Sequence, residues 1–227
     1  MVDKARAVGI RNVKLWPKAV DTQAYQPSRA TTAMREQLTG GNPEAPLLTY
    51  VGRVSKEKDL ERLNHVMQLV RAEHSDARLA IVGDGPSLEE LRNSFDPAYT
   101  VFTGYLSGEE LAAAFAVGDV FLFPSATETL GLVALESFAS GVPVIGTNAG
   151  GIPFVIEEGV TGHLIADEAD DSAWANAALG LLRDPSRRKT MGDAARREAE
   201  KYSWVESTQA LLAAYEEAIE HPFRRDH

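Results

Sequence analysis

Six short apolar runs, each about the length of one strand, recur along the chain: Leu47 to Val51, Leu79 to Val82, Thr100 to Thr103, Val120 to Phe123, Pro143 to Ile145 and His163 to Ile165. They are continuous in apolar residues rather than alternating, the pattern of strands covered on both faces. Between the first two, Leu60, Leu63, Met67 and Val70 recur at helical spacing with charged residues on the other face. Ser87 to Glu90 and Ser107 to Glu110 fit the S-x-x-E capping box and mark helix starts after the second and third runs. This βαβ rhythm predicts an α/β fold: a doubly wound parallel sheet of about six strands with helices on both faces.

The rhythm divides the chain into three parts. Residues 1–45 carry weak periodicity and several turn formers, and read as a lead-in with one helix near Thr31 to Leu38. Residues 46–200 hold the strands, and 201–227 form a terminal helix with the apolar stripe Leu211, Leu212, Tyr215, Ile219. The acids Asp167, Glu168, Asp170 and Asp171 stand beside a helix start, where they favour the dipole, so they read as structural rather than as a metal site.

Composition narrows the function. With no cysteine among 227 residues, disulfides, thiolate metal sites and thiol nucleophiles are excluded. A net charge of -10 argues against general affinity for nucleic acid or anionic lipid, because both need a basic face. The opening MVDKARAVGI lacks the apolar core of a signal peptide, and no run reaches the roughly 18 apolar residues of a membrane span. The expectation is a soluble, cytoplasmic protein. The five histidines show no metal-ligand spacing, and neither a G-x-S-x-G elbow nor a phosphate-loop lysine motif is present.

Candidate chemistry concentrates at strand ends. Thr129 to Ile156 holds one ionisable side chain, Glu136, in a segment otherwise lined by Leu132, Val133, Leu135 and Phe138. A carboxylate there faces an open rim, caps a neighbouring backbone, or accepts from the vicinal hydroxyls of a ribose or hexose. Glu128 precedes a helix start at Thr129-Leu130-Gly131, whose free amides suit an anion. After the first strand, Arg53 and Lys58 either hold a diphosphate without a metal or belong to a solvated helix start. Gly83 and Gly85 read as a tight turn that gives a nucleotide room, with Gly150-Gly151 in a similar role. A nicotinamide or flavin site is excluded, since G-x-G-x-x-G would need glycine where Leu88 stands.

Arg53, Lys58, Gly83-Asp84-Gly85-Pro86 and the E-x7-E segment ETLGLVALE, followed by SFASGVPVIGTNAGGIPFVIEEGVTG, resemble the carboxyl-terminal half of GT-B retaining glycosyltransferases of family 4. The likeness runs from Lys14 to Ile219 and is strongest to sulfoquinovosyltransferases and related lipid glycosyltransferases. LWPKAVDTQAYQP resembles the segment entering this half after the interdomain hinge. The resemblance implies a Rossmann-like domain that binds a nucleotide-diphosphate sugar and needs neither cofactor nor metal. UDP is expected ahead of GDP, and the acceptor is a lipid or glycan.

It also implies roles. Arg53 and Lys58 neutralise the donor diphosphate, Glu136 binds the ribose, and Glu128 holds the transferred sugar with the amides of Thr129, Leu130 and Gly131. The backbone near Val101 and Phe102 meets the base. The family's amino-terminal domain, which holds the acceptor and any membrane contact, is not part of this chain, so a domain or partner subunit is needed and the chain alone is expected to be nearly inactive. A non-catalytic nucleotide-sugar-binding module and a relative that epimerises nucleotide sugars are the competing readings.

Overall fold

Each of the six apolar runs forms a strand in the structure, a computed structural model that describes residues 2–10, 13–14 and 16–220. Leu15 of the hinge-like motif, His221, His227 and the last seven residues of the terminal segment lie outside the described residues. The strands are β1 (Leu47–Val51), β2 (Arg78–Val82), β3 (Thr100–Gly104), β4 (Val120–Phe123), β5 (Val144–Thr147) and β6 (Gly162–Ile165). All neighbouring strands pair in parallel, in the order β3-β2-β1-β4-β5-β6. β5 begins one residue later than the sequence suggested. Pro143 has no amide hydrogen to offer the ladder, although its carbonyl accepts from Phe121 at 3.0 Å.

The helices are α1 (Val2–Ala7), α2 (Thr32–Leu38), α3 (Arg62–Glu73), α4 (Leu88–Ser94), α5 (Gly108–Ala116), α6 (Leu132–Ala139), α7 (Asp171–Leu182), α8 (Pro185–Ala199) and α9 (Trp204–Glu220). α3 packs on α7, while α2, α5, α6 and α8 pack in succession against one another. That division follows from the strand order, because right-handed crossovers running in opposite directions from β1 place their helices on opposite faces. Phe121 on β4 anchors the core between Tyr50, Phe115 and Phe123, at ring separations of 6.4, 5.9 and 5.8 Å.

Polar side chains set several helix starts. The Thr31 hydroxyl accepts from the Met34 amide at 3.2 Å, and Asp170 accepts from Ser172 and Ala173 at 3.0 and 3.3 Å, which gives that member of the acidic cluster its structural role. Ser87 and Ser107 do precede α4 and α5, but neither hydroxyl makes the expected cap bond. At Ser87 the backbone (φ -97°, ψ 4°) departs from the extended conformation a cap requires. The first-turn acids Glu89, Glu90, Glu109 and Glu110 remain to favour the dipole.

The lead-in packs into the same core: Val20, Met34 and Leu38 are buried there, and α1 adds a helix that the weak periodicity did not suggest. It is fastened by Asp119, just before β4. One Asp119 oxygen accepts from Arg35 and from the Leu47 amide, both at 2.8 Å, and the other meets Arg188 at 3.1 Å. α2, the start of β1 and α8 therefore share one carboxylate.

Candidate donor-binding site

The strand order reverses between β1 and β4, and in open parallel sheets the crevice beyond the carboxyl ends of such strands is the ligand site. Here it is built from two loops. The chain leaving β1 makes a 3-10 turn at Lys56–Lys58, closed by Asp59 in the left-handed region (φ 51°). The chain leaving β4 runs from Pro124 to Gly131, which takes φ 68° as the residue preceding α6. Across the reversal, Lys58 Nζ lies 3.4 Å from Ser125 Oγ and 3.4 Å from Glu128 Oε2. Both charged side chains are mostly buried, at 18% exposure each. The separation exceeds the roughly 2.7–2.9 Å of a tight charge-assisted bond, so neither group is locked to the other.

Glu128 is engaged more firmly on its other oxygen. Oε1 accepts from the amides of Thr129, Leu130 and Gly131 at 3.1, 3.2 and 3.2 Å. Burial works against its ionisation, but the Gly131 and Leu130 amides, with Lys58, hold the carboxyl below its ordinary value. This corrects the expectation that those amides stand open for a ligand at a helix start: α6 begins only at Leu132, and the three amides before it are already taken by the chain's own carboxylate. Gly150-Gly151 packs against the same loop. The Gly151 amide donates to the Glu128 carbonyl at 2.6 Å, and a Cβ on Gly151 would lie 2.1 Å from the Thr129 carbonyl oxygen. The pair braces the Glu128 loop.

Eight residues on, Glu136 lines a cavity of about 350 Å³ that also contains Arg53, Gly83, Tyr105, Leu106 and Val133. Gly83 sits where its wall is tightest: a Cβ there would fall 1.9 Å from the Gly52 carbonyl oxygen. Burial pushes the Glu136 carboxyl up to about 7, opposed by the Tyr25 hydroxyl, its hydrogen-bonding partner. Burial first, and then the charge of Glu136, push the Tyr25 hydroxyl up to about 12. Tyr25 is held in place by Arg196 of α8, whose Nη1 donates to the carbonyls of Thr22, Tyr25 and Ala139 at 3.1, 2.9 and 2.6 Å. Its ring meets Phe115 edge-on at 5.4 Å.

The structure thus brings Arg53, Gly83 and Glu136 to one cavity, and Lys58 and Glu128 to each other beside it. Val101 and Phe102 are not among the cavity residues. Phe102 instead packs edge-on against Phe95 at 5.6 Å. β3 runs on to Gly104, so its carboxyl end presents Tyr105 and Leu106 to the cavity in their place. Sequence reasoning also missed Tyr25, Ser125 and Arg196. No spacing rule links Tyr25 or Arg196 to Glu136, and a lone serine after a strand carries no signal. Among the described histidines, His163 meets Glu158 at 2.7 Å and His65 meets Asp171 at 3.3 Å. Among the described residues, no cluster of three or more metal-ligating side chains occurs.

Comparison with known proteins agrees with this architecture. Residues 45–184 match the family model described as glycosyl transferases group 1, and the chain belongs to that family. It forms the carboxyl-terminal half of the GT-B architecture. It is 44% identical to the sulfoquinovosyl transferase SQD2 of Arabidopsis thaliana, over 91% of this chain and 40% of the relative. With a GDP-mannose-dependent alpha-mannosyltransferase of Corynebacterium glutamicum the identity is 34%, over 96% and 51%. The chain therefore spans about half the length of these curated relatives. Sucrose-phosphate synthase from Thermosynechococcus elongatus superposes with a TM-score of 0.81 at 25% identity, covering 96% of this chain and 56% of that one. Anabaena HepE in complex with UDP superposes at 0.76 and 19%, covering 87% and 56%.

Proposed function

We propose that this chain is the donor-binding half of a retaining glycosyltransferase that takes a nucleotide-diphosphate sugar without a divalent cation. The observation that carries the reading is the shared cavity of Arg53 and Glu136 at the strand-order reversal, with Lys58 and Glu128 alongside. Ligands named for the relatives, UDP and GDP-mannose, support the same class of donor, and UDP is the nucleotide we place ahead of GDP.

In this reading the Glu136 carboxylate accepts from both ribose hydroxyls while the Tyr25 hydroxyl fixes its orientation. The apolar wall around Leu106 and Val133 receives the flat base. Arg53 and Lys58 stabilise the charge that develops on the diphosphate as it leaves, and so replace a metal in that duty. Glu128, steadied through Oε1 by three amides, offers Oε2 to hydroxyls of the transferred sugar. The acceptor hydroxyl attacks the anomeric carbon from the face the nucleotide leaves, which retains configuration and requires no protein nucleophile.

The acceptor, a lipid or glycan, is assigned to the half of the relatives' length that this chain does not span. The open face of α9 fits that arrangement: Leu212, Tyr215 and Ile219 are exposed in a row. Among the described residues no helix is long and apolar enough to cross a membrane. The test is a thermal-shift panel of nucleoside diphosphates and nucleotide sugars, because ligands that prefer the folded state raise its melting point. UDP and UDP-sugars should raise it most, and Glu128→Ala should keep UDP binding while losing the added affinity for the sugar. The chain alone should transfer sugar slowly or not at all. A panel in which no nucleoside diphosphate shifts the melt sinks the reading.

A further inference from the structure

β1 ends in Tyr50-Val51, and Gly52-Arg53 open the loop that also carries Lys58. Alternate residues of an extended chain share a face, so the Tyr50 side chain runs beneath Gly52. A Cβ at Gly52 would fall 2.8 Å from the Tyr50 hydroxyl oxygen and 3.2 Å from the ring carbon that bears it, and the backbone there takes φ 153°. Glycine leaves that path open. The hydroxyl passes under it and donates to the Arg53 carbonyl at 2.9 Å. The Tyr50 ring is 1% exposed and stacks on Phe121, with the two planes 16° apart. Burial first, and then the charges of Glu128 and Glu57, hold its proton well above the ordinary tyrosine range, so the hydroxyl donates at every working pH.

The residues on either side of Arg53 are knit to the chain leaving β2. The Gly52 amide donates to the Val82 carbonyl and the Val54 amide to the Asp84 carbonyl, both at 2.9 Å, and the Ser87 amide donates to the Val54 carbonyl at 3.1 Å. Gly85 permits this approach, since a Cβ there would lie 2.2 Å from the Val54 carbonyl oxygen. Those bonds fix residues 52 and 54, and the Tyr50 hydroxyl fixes the carbonyl between them. Arg53 itself is exposed and lines the cavity together with two carboxylate residues, Asp84 and Glu136. Among the described residues no hydrogen bond or ion pair holds its guanidinium, so what aims it is the backbone it springs from. A guanidinium free to turn is drawn to either carboxylate instead of to an incoming diphosphate.

Resting on the donor-site reading above, we propose that Tyr50 is a positioning residue of that site: by holding the Arg53 carbonyl from beneath, its hydroxyl aims the Arg53 guanidinium at the donor diphosphate. It acts entirely through Arg53, since a side chain so deeply buried meets no substrate.

Titration calorimetry on wild type, Tyr50→Phe, Arg53→Ala and the double variant tests this, with UDP and GDP as probes and the tighter of the two followed. Tyr50→Phe keeps the ring and its stacking and removes only the hydroxyl. It should weaken diphosphate binding about fivefold, within the scale of one neutral hydrogen bond. Arg53→Ala should weaken it about tenfold or more, the scale of a bond to a charged group. In the Arg53→Ala background, Tyr50→Phe should cost less than about twofold, because the group it aims is gone. A hydroxyl needed only for the fold would weaken binding by the same factor in both backgrounds, or in neither. If the phenylalanine variant melts too low to titrate, all four proteins are compared in trimethylamine oxide, which favours the compact state. Equal losses with and without Arg53, or unchanged affinity in Tyr50→Phe, overturn the proposal while leaving the donor site standing. An Arg53→Ala chain that binds as tightly as wild type overturns it as well, by removing Arg53 from the site. If wild type binds neither nucleoside diphosphate, the donor reading fails, and this one with it.

Discussion

Glu136→Gln should make the protein more stable and less able to bind nucleotide. In the folded chain the carboxyl is pushed from 4.5 up to about 7 because burial disfavours its charge. Between those two values the folded chain holds a proton that the unfolded chain has released. The stability this group contributes is therefore complete below about pH 4.5 and is lost as pH rises through about 7. At about 1.4 kcal/mol per pH unit, the displacement corresponds to about 3 kcal/mol of destabilisation once Glu136 is ionised in both states. Glutamine keeps the shape and can still meet the Tyr25 hydroxyl, but has no charge to desolvate. Urea unfolding followed by tryptophan fluorescence should show the variant about 3 kcal/mol more stable at pH 8 and equal to wild type near pH 4. In a chain of this size the pH 8 difference corresponds to about 6–12 °C in melting temperature. The variant should also bind UDP more weakly, since an amide accepts on one atom where the carboxylate accepts on two. Parallel stability–pH profiles for the two proteins would refute the argument that an uncompensated carboxylate sits in the cavity.

The same group makes binding proton-linked. Ribose hydroxyls donating to Glu136 favour its ionised form, so UDP binding near pH 7 should release a proton, seen calorimetrically as a dependence of the binding heat on buffer ionisation. Lys58→Ala should weaken nucleoside diphosphate binding by about 1.5–3 kcal/mol, and unchanged affinity would remove Lys58 from the site. Gly151→Ala places a methyl 2.1 Å from the Thr129 carbonyl oxygen and should cost about 1–3 kcal/mol in denaturant unfolding as well as weakening donor binding, because the displaced loop carries Glu128. Asp119→Ala strips Arg35, Arg188 and the Leu47 amide of a shared partner and should destabilise by about 3 kcal/mol, with nucleotide affinity per folded molecule preserved.

The sheet was legible in the sequence because fully buried parallel strands leave a signal that needs no partner to be seen. Leu47–Val51, for instance, is buried at every position. Arg53, Lys58 and Glu128 were legible for a related reason: they lie in loops that leave strands, and a parallel sheet carries all such loops to one end. What stayed hidden were relations between distant segments. Glu128 gave no sign that its carboxylate would fold back onto the amides after it, because that depends on Gly131 turning left-handed. Tyr25 reaches Glu136 across 111 positions of sequence, through a lead-in with little periodicity. The base contact was placed at Val101 and Phe102 because residue patterns do not report where a strand stops, and β3 continues two residues past Phe102.

Arg196, which gathers the carbonyls of Thr22, Tyr25 and Ala139 onto one guanidinium nitrogen, bears on how such enzymes can be recombined. A chimera that swaps donor preference by splicing at Pro46, just before the first strand, would separate Tyr25 from Glu136 and strand a guanidinium among mismatched acceptors. The natural crossover lies upstream of Trp16, so that the lead-in from there on travels with the sheet it serves.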